Sequence, residues 1–140
     1  MRVQFALCAQ TASVDRASNR VSIFNVIDHI PAANLPLILP TITFVSILET
    51  DRGEAASYKG VFEGKLNGTV MARGEVPVNF VNGRLARVLL TLNGVPIREH
   101  GTLSFRLTIP NMATAEVQVQ VVNLAAPEAT ASPARPPVIA

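Results

Sequence analysis

Thr102-Leu103-Ser104-Phe105-Arg106-Leu107-Thr108-Ile109, then Pro110-Asn111, then Thr114-Ala115-Glu116-Val117-Gln118-Val119-Gln120-Val121: this stretch decides the fold class. In its first half every second residue is large and apolar, with threonine, serine or arginine between. The second half repeats the pattern as Ala115, Val117, Val119 and Val121 against Thr114, Glu116, Gln118 and Gln120. A period of two is that of a strand with one face buried and one in water. Two such runs joined by Pro-Asn predict an antiparallel pair.

Further turn signals lie upstream. Asn67-Gly68 separates the run holding Tyr58, Phe62 and Leu66 from Val70, Ala72, Val76 and Val78. Asn-Gly accepts a positive φ at both central positions of a type I′ turn, which predicts a two-residue hairpin. Asn82-Gly83 leads into a strand at roughly 84–93, with Val88, Leu90 and Leu92 on one face, and Asn93-Gly94 is expected to end it. A loop over Val95–His100 follows. Gly60 and Gly64 weaken any helical reading of 58–66 and suit a strand interior relieved for neighbour packing. Val3, Phe5 and Leu7 alternate with Gln4, Ala6 and Cys8, the pattern of a first strand rather than a leader. Residues 21–28 and 38–49 are rich in β-branched and aromatic types.

The expectation is an all-β, antiparallel two-sheet sandwich, immunoglobulin-like or jelly-roll-like, with about eight strands over residues 1–124. A closed barrel is the alternative. Ten of the 16 residues from Ala125 to Ala140 are Ala or Pro, so a flexible tail is expected there, with Val138 and Ile139 as a conceivable short docking motif. At 140 residues the chain is long enough for one core.

The order of features resembles a known family. Phe5-Ala6-Leu7-Cys8-Ala9 runs into Ala12-Ser13-Val14-Asp15, then Val21-Ser22-Ile23-Phe24-Asn25-Val26-Ile27-Asp28-His29-Ile30. Later Leu90-Thr91-Leu92-Asn93-Gly94-Val95-Pro96-Ile97 precedes Gly101-Thr102-Leu103-Ser104-Phe105-Arg106-Leu107. Over residues 1–122 this is similar to a family of small bacterial β-sandwich proteins, a domain of unknown function. His100 stands where that family tends to have proline, Leu103 where it tends to have tyrosine, and Asn25-Val26 where a glycine pair is frequent. The resemblance implies the sandwich fold and a cytoplasmic bacterial setting, and supplies no catalytic residues.

Chemistry is sparse. The net charge of +2 comes from ten scattered arginines and two lysines against ten carboxylates, without interleaved aromatics, so no nucleic-acid partner is expected. No run approaches the ~18 apolar residues of a membrane helix. The lone Cys8 permits no internal disulfide, fits a reducing compartment, and sits among apolar neighbours where a thiol is inert. Asp15, Asp28, His29, His100 and Cys8 form no spaced ligand pair, and Asp28 and His29, as neighbours on a strand, would point to opposite faces. Glu49, Asp51 and Glu54 read as a solvated turn rather than a calcium loop. Asn67-Gly68-Thr69 matches a glycosylation sequon that the turn already explains. No Gly-x-Ser-x-Gly elbow is present. Neither metal nor cofactor is expected.

Residues 30–40 (Ile-Pro-Ala-Ala-Asn-Leu-Pro-Leu-Ile-Leu-Pro) are unusually apolar for a loop. Leu35, Leu37 and Leu39 either cap an open end of the sandwich or form an exposed patch that binds a partner. The favoured expectation is a non-enzymatic module that binds a protein partner or another copy of itself through that patch or an edge strand. One alternative is a small-ligand or metal-assisted enzyme on a jelly-roll-like scaffold, requiring Asp28, His29 or His100 to converge in a pocket. Another, by fold analogy alone, is a virus-derived structural protein.

Overall fold

The computed structural model describes residues 1–51, 56–80 and 84–123. The tail from Ala125, the Asn82-Gly83 turn and Glu54 lie outside the described residues.

The described residues form nine strands: β1 (Arg2–Val14), β2 (Val21–Val26), β3 (His29–Ala32), β4 (Leu37–Glu49), β5 (Ala56–Leu66), β6 (Thr69–Phe80), β7 (Leu85–Ile97), β8 (Gly101–Ile109) and β9 (Ala113–Asn123). They make a four-stranded sheet, in the order β2-β1-β4-β7, and a five-stranded sheet, in the order β3-β9-β8-β5-β6. Every pair is antiparallel except β3 with β9, which run parallel.

The alternation of the deciding stretch becomes the core face of β8 and β9. Leu103, Phe105, Leu107 and Ile109 are buried, as are Ala115, Val119 and Val121. They meet Cys8, Ile42, Phe44, Leu48, Ala86 and Val88 of the opposite sheet. Phe62 stacks on Phe105 with ring centroids 5.9 Å apart and tilts against Phe44 at 5.4 Å, geometries that aromatic quadrupoles favour. Gly60 and Gly64 make room for this packing. A Cβ on Gly60 would lie 2.9 Å from Leu107 Cδ1, and one on Gly64 3.1 Å from Phe105 Cε1.

Asn67 and Gly68 both have positive φ (49° and 86°), and Leu66 pairs with Thr69, as a type I′ hairpin requires. Asn93-Gly94 behaves differently from the expectation that it ends a strand. β7 runs through it to Ile97, paired with β4 down to Leu37. Gly94 takes φ 68°, at the level of Pro40, whose ring nitrogen has no hydrogen to offer the ladder. The buried parity of both strands changes here, from Ile42 and Leu92 to Leu39 and Val95. The segment 30–40, expected to be a loop, therefore supplies most of β3 and the start of β4.

Candidate interaction surface

The two outward faces of the sandwich have opposite characters. On the five-stranded sheet, Arg73, Glu63, Arg106 and Glu116 are successive cross-strand partners on β6, β5, β8 and β9. Arg73 lies 3.7 Å from Glu63, Lys65 lies 3.3 Å from it, and Arg106 lies 3.1 Å from Glu116. This alternating ladder belongs in water.

On the four-stranded sheet the corresponding rows are Phe5–Ile47–Arg87, Leu7–Val45–Leu89 and Ala9–Thr43–Thr91. Arg87 is their one charge. Ala9 and Val45 are fully buried yet outside the core cluster. What covers them is the β1–β2 hairpin. Extended straight on, β1 would carry Val14 about 30 Å beyond Phe5. Instead Asn19, at the hairpin tip, accepts a 2.9 Å hydrogen bond from Arg87 Nη1, at the level of Phe5. The hairpin must therefore double back over the outer face as an arm. Asn25, opposite Gln10, has φ 58° and donates through Nδ2 to Gln10 Oε1 at 2.6 Å, which places the bend. At the tip the Asp15 carboxylate accepts from Ser18 Oγ (2.7 Å) and the Ala17 N–H (3.1 Å), bonds that hold it below the usual carboxylate range.

The arm's half-buried residues are Ala12, Val21 and Ile23, while Phe24 (50% exposed), Val26 (60%) and Val14 remain in solvent. β2 is also an edge strand. Edges invite pairing with other chains, and proteins blunt them with proline or charge. β3 carries Pro31, β6 Pro77 and β7 Pro96. β2, Val21-Ser22-Ile23-Phe24-Asn25-Val26, carries neither.

The other sequence candidates fall elsewhere. Leu35, Leu37 and Leu39 are half-buried and packed against the core. Between them Ile38 is 67% exposed. Asp28 and His29 do not point apart. Asp28 sits in a bend before β3, and its carboxylate bonds His29 Nδ1 at 2.7 Å, both groups exposed. His100 bonds the Ala32 carbonyl at 3.1 Å, at the far end of β3, about 10 Å from His29 by strand rise. The three are not brought into one pocket. Glu49 is bonded to Arg2, and no metal-ligating cluster occurs among the described residues. Burial pushes the Cys8 thiol up to about 12. Asn67 spends both hydrogens of Nδ2, on Glu99 Oε1 and the His100 carbonyl, each at 2.9 Å.

A family model described as a family of unknown function, DUF6941, matches residues 4–122. The chain belongs to that family. The DUF6941 match runs from within β1 to within β9, so the arm, both sheets and all four edges are parts of the family domain. A search of the curated proteins finds no match to the chain.

Proposed function

We propose that this DUF6941 domain is a non-catalytic, cytoplasmic self-assembly module, in which two copies join by antiparallel pairing of their β2 edges. The observation that carries this reading is the unguarded edge: of the four edge strands among the described residues, β2 alone lacks both proline and charge. Two-fold pairing of β2 joins the two arms into one four-stranded antiparallel ribbon. It brings each copy's exposed Phe24 beside the other copy, with no like charges opposed. Leu35, Leu37 and Leu39 are half-buried against the core, and we place the contact at β2 rather than at the 30–40 segment.

Light scattering over a dilution series tests it. The unmodified chain is expected to show a concentration-dependent mass approaching two copies. Ser22→Lys with Phe24→Lys, which places charge on an exposed edge without touching the core, is expected to remain one copy throughout. A variant that is folded and still dimeric overturns the β2 edge as the contact.

A further inference from the structure

The sequence holds one triplet twice: Leu66-Asn67-Gly68 before Thr69, and Leu92-Asn93-Gly94 before Val95. In an Asn-Gly pair the side-chain amide is readily lost to the neighbouring main chain, because glycine has no side chain to block the approach of its nitrogen. The residues are identical up to the glycine, and the β-branched residues that follow share one shape. A difference between the two sites therefore comes from the fold.

Exposure does not separate them, since both asparagines and both glycines are exposed, and both glycines have positive φ, 86° at Gly68 and 68° at Gly94. Restraint of the side chain does. Asn67 is held at both ends of its amide. Nδ2 donates to Glu99 Oε1 and to the His100 carbonyl, and Oδ1 accepts from the Thr102 N–H, each at 2.9 Å. The same amide lies against Gly101, where a Cβ would collide with it. Closing a ring on the Gly68 nitrogen expels Nδ2 and forfeits at least the two bonds it donates. Asn93 has one side-chain bond among the described residues, accepted from Thr41 Oγ1 at 3.4 Å, beyond the usual range for two oxygens. The ladder is also interrupted beside it. The β4–β7 pairing steps from Thr41 with Asn93 to Leu39 with Val95 and skips Pro40 and Gly94, and Pro40 has no N–H to give.

We propose that Asn93 is a site of spontaneous deamidation and isoaspartate formation in the folded protein, and that the fold protects Asn67 from the same reaction. The Gly94 main-chain nitrogen gives up its proton to water and attacks Asn93 Cγ. The side-chain nitrogen takes up a proton and leaves as ammonia. The five-membered succinimide then takes up one water. Opening at one carbonyl gives aspartate; opening at the other gives isoaspartate, in which the main chain runs through the side-chain carbon. Either product puts a carboxylate at the hollow of about 140 Å³ that Asn93 lines with Leu92, Val95 and Phe105. It does so at the level where β4 and β7 change their buried parity.

The test is peptide mapping by mass spectrometry of the unmodified full chain during warm incubation at mildly alkaline pH, with the same incubation in urea as the reference. In the folded protein, conversion at Asn93 is expected at least tenfold faster than at Asn67, a factor within what two lost hydrogen bonds are worth. In urea, conversion at Asn67 is expected to rise until the two rates agree within about threefold. Equal rates in the folded protein overturn the proposal, as does an unconverted Asn93 under conditions where the unfolded chain converts at both sites. A difference that persists unchanged in urea overturns the fold as its cause. Neither asparagine lies on the β2 edge, so the dimer mass reports separately on self-assembly.

Discussion

Gly101→Ala offers a quantitative test of how the β7–β8 connection is held. Gly101 has φ 137°, and a Cβ there would fall on the side-chain amide of Asn67. That amide makes three hydrogen bonds: to Glu99 Oε1, to the His100 carbonyl and from the Thr102 N–H, each 2.9 Å. Displacing it forfeits about 3 kcal/mol at roughly 1 kcal/mol per bond. Forcing alanine into a φ that suits glycine adds about 1–2 kcal/mol. Gly101→Ala alone is therefore expected to cost about 4–5 kcal/mol in urea denaturation, a large share of the 5–15 kcal/mol typical of a domain. Asn67→Gly keeps the positive φ of the turn and loses only the side-chain bonds, about 3 kcal/mol. In that background the collision is gone, and Gly101→Ala is expected to cost only the backbone strain of about 1–2 kcal/mol. The double-mutant cycle should thus be non-additive by about 3 kcal/mol. A Gly101→Ala cost below 1 kcal/mol, or an additive cycle, refutes the clamp.

Three further expectations follow from the same geometry. Cys8, its thiol pushed up to about 12 by burial, should resist a disulfide reagent at pH 8 and react once urea unfolds the chain; rapid stoichiometric labelling of the folded protein contradicts its placement. Asp15 has a depressed folded pKa, so its support of the arm tip is present above the unfolded carboxylate pKa and is lost as pH falls through the folded one. Amide exchange at Ala17, corrected for its intrinsic pH dependence, should therefore accelerate only at that acidic end, and an Asp15→Asn variant should lack the transition; a flat corrected profile in the parent contradicts the bonding. Arg87→Ala removes the Asn19 tether and should speed exchange in Val21–Phe24 several-fold, while Leu103–Leu107 in the core keep their protection. Equal protection of the arm in parent and variant contradicts the tether.

The sequence carried the five-stranded sheet better than the four-stranded one, for a physical reason. β8 and β9 each bury one face under a charged or polar outer face, so their alternation is clean, and Asn67-Gly68 marks a turn whose dihedrals few other residues adopt. β4 is buried on both faces around Phe44 and Val45, which erases the alternation. The start of β4 was hidden by prolines that normally break ladders. Pro40 is tolerated because it stands at the level of Gly94, where the ladder already turns over. The arm was not legible, because the bond that betrays it joins Asn19 to Arg87 across 68 positions. Yet the signal for the proposed contact was in view: β2 is a neutral, proline-free strand. What sequence alone withheld was that β2 would lie at an edge.

Amide exchange as a function of protein concentration tests the proposed β2 pairing most directly. The account predicts that Val21–Phe24 gain protection as concentration rises through the association range, while the guarded edges β6 and β7 do not change. If β2 exchanges at the same rate at every concentration, or if the gain falls on another edge, self-assembly through β2 is contradicted.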